Sequence, residues 1–247
     1  MRAIYIMWLR QLKRYWRSRG RMIGSLGQPI LFLVALGFGL GPIYTMAGRG
    51  DFIQFLAPGV ISMTILFSAM FSGIEVIWDR QFGFLKETLV APVPRLHIMI
   101  GKTLGGATIS LFQGILVFII CLIVGFKPEL YFIPFALLFM FLIAVLFTAL
   151  GIAIASNLED MQSFPIIMNF LIMPIFFLSG AIFPLDGIPK ALELIARIDP
   201  LTYGVDGIRG ALTGSYHLSP LIDLSVITIW ALIILSIGTY MFSKVEV

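Results

Sequence analysis

Between Trp78 and Gly106 the chain reads "WDRQFGFLKETLVAPVPRLHIMIGKTLGG", a stretch that holds four of the 17 Lys/Arg between two long apolar runs. Gly101-Lys102-Thr103 has the form of the tail of a phosphate-binding loop, G-x-x-x-x-G-K-[ST], whose two glycines let backbone amides wrap the phosphates. The first glycine is missing, because Leu96 stands in its place, and the motif opens an apolar run instead of following a soluble strand. These departures argue against a nucleotide site, and Lys102 reads instead as a cation snorkelling from the end of a membrane span. His97, His217 and the lone Cys121 form no metal-ligand spacing. No Ser, His and carboxylate stand at a recognisable catalytic spacing. The chain is therefore expected to be no enzyme, with no catalytic residue, cofactor site or metal site of its own. Glu75 is the one carboxylate near membrane depth. It is expected at the interface, paired with Arg80 or a helix end, with a proton relay as the alternative.

The elements that position these residues follow from composition. Of 247 residues, 59% are hydrophobic and 12% charged, against about 25% charged in a soluble domain. Six stretches lack Asp, Glu, Lys, Arg and His: Met22–Ala47, Phe52–Ile74, Thr103–Phe126, Leu130–Leu158, Met161–Leu185 and Leu224–Ser243. Each meets the roughly 20 residues a helix needs to cross a bilayer, and backbone in lipid must satisfy itself internally. The expectation is an all-α integral membrane protein, one domain over 1–247, with six transmembrane helices at about 22–47, 52–77, 103–126, 130–156, 162–185 and 222–243. With ends assigned alternately, 12 Lys/Arg fall on the side of the N-terminus and 5 on the other. The positive-inside rule then places both termini in the cytoplasm of a cell membrane. A net charge of +4 reports that topology and an affinity for anionic lipid, with no need for nucleic acid. The basic-then-apolar N-terminus runs too long for a signal peptide and reads as a retained span.

Three further segments carry a pattern. Residues 1–21 predict an interfacial helix: Trp8 with Ile4, Tyr5, Leu12, Tyr15 and Trp16 on an aromatic face toward lipid, and Arg10, Arg14 and Arg17 among the basic face toward the cytosol. Residues 186–221 predict two short amphipathic helices, re-entrant or on the outer surface, with Asp199-Pro200 as the N-cap and first residue of the second. From Asp79 to Val90, Phe82, Leu85 and Leu89 share a helical face while Arg80, Lys86 and Glu87 are polar. Asp79 suits the start of such a helix, and Pro92 and Pro94 end it. A connector this long and stiff, where a few residues would do, points to contact with a partner.

On "DRQFGFLKETLVAPVPRLHIMIGKTLGG", "SFPIIMNFLIMPIFFLSGAIFPLDGIP" and "ARIDPLTYGVDGIRGAL" the sequence resembles the ABC-2 type permeases, the membrane subunits of ATP-binding-cassette exporters. The likeness is nearest to the daunorubicin-resistance and polysaccharide-export branches. It implies two six-helix subunits, this chain with a second copy or a paralogue, on two separate ATPase subunits that hold ATP and magnesium. Carried onto this chain, the 79–95 loop would be a coupling helix, with Arg80, Phe82, Phe84, Leu85, Lys86, Glu87 and Arg95 contacting the ATPase. Glu159 and Asp160 would form a smaller second contact. Asp186, Tyr203, Asp206 and Arg209 would belong to the external re-entrant pair near an outer gate. Spans two and five, with Met63, Phe67, Met70, Asn169, Met173 and Phe176, are the candidates to line a path for an amphipathic drug, lipid or glycan. A membrane scaffold and an ion-coupled carrier using Glu75 stand as the alternatives.

Overall fold

The computed structural model describes residues 2–48, 50–84, 90, 93–158, 160–185 and 187–244, the side chain of Arg21 excepted. The elements are helical: α1 (Arg2–Arg17), α2 (Arg19–Met46), α3 (Phe52–Phe71), α4 (Ile74–Gln81), α5 (Arg95–Val124), α6 (Ile133–Ser156, entered through a 3-10 turn at Leu130–Phe132), α7 (Ser163–Leu178), α8 (Lys190–Ile198), α9 (Pro200–Thr213) and α10 (Pro220–Ser243). Among the described residues, five segments are long and apolar enough to cross a membrane: Met22–Met46, Phe52–Gln81, Arg95–Val124, Leu130–Ser156 and Pro220–Ser243. The second comprises α3 and α4, which run on through a break at Ser72-Gly73.

The helix expected over 162–185 is shorter than its apolar run. α7 has 16 residues, about 24 Å at 1.5 Å per residue, against a hydrocarbon core of about 30 Å. Gly180, at φ +75°, turns the chain, and Ala181 and Ile182 fold back into the core. They can do so because position 59 on α3 is glycine; a Cβ there would run into the Ala181 carbonyl. Arg209 holds the turn by donating from Nη2 to the Gly180 carbonyl at 2.8 Å.

Backbones also meet at the centre. A Cβ on Gly73 would strike the carbonyl of Gly151 on α6, and one on Gly151 would strike that of Met70. Small residues at such crossings let membrane helices approach until dispersion and weak polar contacts hold them, since lipid offers no hydrophobic drive between helices. α9 is the other organising element. Asp199 caps it, accepting from the Leu201 N–H at 2.8 Å, and Leu201, Val205, Ile208 and Leu212 are each at most 1% exposed. The preceding α8 leaves Leu194, Ile195 and Ile198 exposed.

Gly151→Ala is expected to lower stability in detergent by about 1–3 kcal/mol through overpacking. Gly27→Ala, where a Cβ meets nothing within 4 Å, should be neutral or stabilising. Thermal unfolding of both variants checks the pair, and equal behaviour would contradict the close crossing.

Candidate functional site

The expected helix beginning at Asp79 does not form that way. Asp79 lies in the last turn of α4, which ends at Gln81, caps at Phe82 and turns at Gly83, φ +77°. Arg95 already opens α5, eight residues before the expected start of span three at Thr103. Between the end of α4 and the start of α5, Phe84 and Val90 are themselves helical. Leu85, Lys86 and Glu87 lie outside the described residues.

Asp79 is 5% exposed and gathers three cations. Its Oδ2 accepts from Lys102 Nζ at 2.6 Å. Its Oδ1 accepts from Arg10 Nη2 at 3.0 Å and faces Arg14 Nη1 at 3.6 Å. Lys102, only 2% exposed, does not snorkel to the surface as expected. A buried ammonium needs a close, hydrogen-bonded counter-charge to offset its lost hydration, and Asp79 provides it. Arg10 and Arg14, expected to face the cytosol, turn inward to the same carboxylate. Arg10 also lies 5.3 Å from the Phe84 ring centroid, and Arg14 lies 5.1 Å from that of Trp78, within cation–π range.

α1 reaches this position along α5. Cβ atoms at Gly101 and Gly105 would collide with Met7 and Gln11 of α1. "GKTLGG" is therefore a helix-packing seam with a buried cation in it. Trp8 Nε1 donates to Thr108 Oγ1 at 3.0 Å, and Gln113 Nε2 donates to Tyr15 Oη at 3.0 Å and Ser25 Oγ at 2.8 Å. The aromatic face of α1 consequently splits: Tyr15 is buried, while Tyr5 and Trp16 are exposed. Arg17 is exposed at its end.

The other expected coupling residues surround this cluster. Arg80 Nη1 approaches the Leu158 carbonyl at 3.5 Å, joining α4 to the connection that holds Asp160. Asp160 accepts from the N–H groups of Gln162 and Ser163 and from the Ser163 hydroxyl, so these bonds hold its carboxyl below the usual range. Glu159 lies outside the described residues. Arg95 donates to the Ser243 carbonyl at the end of α10, where a cation complements the helix dipole. Phe82 and Phe84 are 71% and 50% exposed.

The residues proposed to line a path part company. Met70 is fully buried in the core, Asn169 is exposed and Met173 half-buried. Phe67 and Phe176 meet edge to face at 6.2 Å. Met63 and Phe67 instead face a chamber of about 450 Å³ bounded by α1 to α5. Glu75, expected at the interface, is 3% exposed on its wall. Sequence reasoning missed this chamber because its polar residues are scattered over five helices.

At the opposite end of the bundle, Tyr203 Oη donates to the Arg197 carbonyl at 2.7 Å. Asp206 accepts from the N–H groups of His217 and Leu218, and Arg209 lies 4.2 Å from the Phe55 ring centroid. Asp206 and Arg209 share a cavity of about 480 Å³ with Tyr44, Phe55 and Tyr216. Asp186 lies outside the described residues.

Apolar helices of spanning length, a buried ion cluster at one end and a half-buried helical hairpin at the other define a multi-pass membrane protein. The model of the ABC-2 type transporter family matches residues 2–213, and the chain belongs to that family; it is a membrane transport permease. It is 30% identical over 237 residues to a putative transport permease ycf38 of Cyanophora paradoxa, covering 91% of this chain and 82% of that one. It is 27% identical over 228 residues to nodulation protein J of Rhizobium leguminosarum bv. viciae (90% and 86%). It is 25% identical over 224 residues to the inner membrane transport permease YadH of Escherichia coli K12 (86% and 83%).

The cap of α9 gives a pH signature. Burial pushes the Asp199 carboxyl up from 3.8 to about 7, against the lowering effect of the Leu201 N–H. A folded pKa above the unfolded one means that the folded state holds the extra proton between those values. Its stabilisation is full below 3.8 and is lost as pH rises to about 7. Thermal unfolding is expected at higher temperature near about pH 5 than near about pH 8. Asp199→Asn, which keeps a cap acceptor, should flatten that difference; an unchanged pH slope would contradict it.

Proposed function

We propose that this chain is the permease subunit of an ATP-binding-cassette exporter, moving an amphipathic drug, lipid or glycan outward by alternating access. ATP and magnesium belong to separate ATPase subunits, which seat on the end of the bundle that carries α1. Both termini lie in the cytoplasm of a cell membrane, α7 serves as a short sixth span, and a second copy or a paralogue completes the path.

The observation that carries this reading is the Asp79 cluster. It joins α1, α4 and α5 directly beside the exposed Phe82 and Phe84, so force applied to the α4–α5 connection enters three helices at once. Phe84 with Leu85, Lys86 and Glu87 forms the primary contact, while Arg80 and Arg95 hold the connection to its neighbours. Glu159 and Asp160, reached from Arg80 through Leu158, form the second. At the far end Tyr203, Asp206 and Arg209, with Asp186, form the outer gate, and Met63, Phe67 and Phe176 border the path. The transport-permease names of the relatives support the reading.

The test is purification with an ATPase carrying a phosphate-binding loop, followed by Phe84→Ala and Glu87→Ala. Each is expected to lower transport-coupled ATP hydrolysis at least about tenfold, the loss of roughly 1.4 kcal/mol of contact. Wild-type assembly and hydrolysis in both variants would remove the coupling role. Glu75, buried on the chamber wall, is the observation behind the ion-coupled alternative. Transport sustained by a proton gradient with no ATPase present would favour that alternative.

A further inference from the structure

The end of the bundle opposite the ion cluster holds the cavity of about 480 Å³, inside the range of small-molecule sites, about 300–1,000 Å³. Thr202, Asp206 and Arg209 enter its wall from α9. They stand at i, i+4 and i+7 and so share one face of that helix, beside the Leu201, Val205, Ile208 and Leu212 stripe that is buried in the core. The cavity also has a ring platform. A Cβ at Gly210 would strike the Tyr216 ring, so the ring lies directly on α9 and stays 36% exposed. Ser215 and His217, on either side of it, are exposed as well, which places the mouth of the cavity on the connection from α9 to α10.

This face of α9 carries more hydrogen-bonding capacity than the protein uses. Arg209 donates from Nη2 to the Gly180 carbonyl and stacks over Phe55. Its buried Nε–H has no acceptor among the described residues. Thr202 is 6% exposed, and its Oγ1 has no partner among them either. A buried polar group left unmatched costs about 1–3 kcal/mol, which the oxygen atoms of a ligand would recover.

The charges around the face restrict that ligand. The Arg209 Nε–H calls for an acceptor, and an ammonium brings only donors. An anion gains little from a guanidinium that already has Asp206 as its neighbour. It would also approach the Asp206 carboxylate, which accepts from the His217 and Leu218 N–H groups and has the fully buried carboxyl of Asp223 behind it. A hydroxyl is neutral and both donates and accepts, so a polyhydroxylated ligand matches Thr202 and Arg209 together. A sugar ring adds a C–H face for an aromatic platform. We propose that this cavity, built within a single chain, binds an uncharged saccharide unit, with its hydroxyls at Thr202 and Arg209 and its C–H face on Tyr216. The inference rests on the outer-gate reading of Asp206 and Arg209 and gives that gate a ligand.

The full chain in nanodiscs is titrated with methyl glucoside, with methyl glucuronide as the anion and with methyl glucosaminide as the cation. Binding is read by saturation-transfer difference NMR against empty nanodiscs. Methyl glucoside is expected to bind at least about tenfold more tightly than either charged analogue. Thr202→Val keeps the shape of the side chain and removes only the unpartnered hydroxyl, so it should weaken binding about tenfold without lowering thermal stability. Ser215→Trp, at an exposed position on the mouth, should abolish the signal and serves if Thr202→Val does not fold.

Equal or tighter binding of a charged analogue, or wild-type binding in both variants, would overturn the proposal. No methyl glucoside signal from a chain competent in ATP-driven transport removes the saccharide site and leaves the exporter reading. The expected binding by a chain that associates with no ATPase removes the exporter reading and leaves the site.

Discussion

A carboxylate buried among three cations is the constraint on which this end of the molecule depends. Asp79 cannot move away from Lys102 without leaving a nearly inaccessible ammonium uncompensated, and breaking such a pair by removing one partner costs about 3–5 kcal/mol. Arg10 and Arg14 add a second claim on the other carboxylate oxygen. The cluster therefore helps set the position of α1 against α4 and α5, together with the glycine seam and the Trp8–Thr108 and Tyr15–Gln113 bonds. Everything proposed about force transmission follows from that fixed relation.

The cluster could not form if the helices stood at ordinary spacing. Gly101 and Gly105 bring α1 within reach of α5, and Gly73 with Gly151 brings the α3–α4 break against α6. Glycine costs about 1 kcal/mol against alanine in a helix interior, a cost recovered where backbones touch. At the opposite end Gly59 admits the returning Ala181 segment, and Arg209 fastens the Gly180 turn. A bundle closely packed at its centre thus carries a tied cluster at one end and a half-buried hairpin at the other.

The helical, membrane-spanning class was legible from charge-free runs, because the bilayer imposes both length and apolarity. The Asp199-Pro200 start of α9 was legible because capping is local chemistry. Three features were not. α7 stops at Leu178 within an unbroken apolar run, since Gly180, Gly59 and Arg209 impose a tertiary turn that hydropathy does not record. Asp79 ends a helix where its type suggested a start, because its partners are 69 and 23 residues away. Lys102 looked like a snorkelling cation, and only the packing of α1 over the glycines of "GKTLGG" encloses it. The family likeness supplied the residues proposed for coupling and gating; among them Phe84 sits beside the ion cluster through Arg10, whereas Asp160 bonds Gln162 and Ser163 at the entry to α7.

The most direct measurement is a distance between α1 and the end of α4. Spin labels at Lys13→Cys and Phe82→Cys, both exposed positions, avoid Cys121, which is buried. Pulsed electron paramagnetic resonance is expected to give one narrow distance distribution in the native background. Asp79→Asn should broaden and lengthen that distribution. A narrow, unshifted distribution in Asp79→Asn would contradict the claim that the Asp79 cluster fixes α1 to the α4–α5 connection.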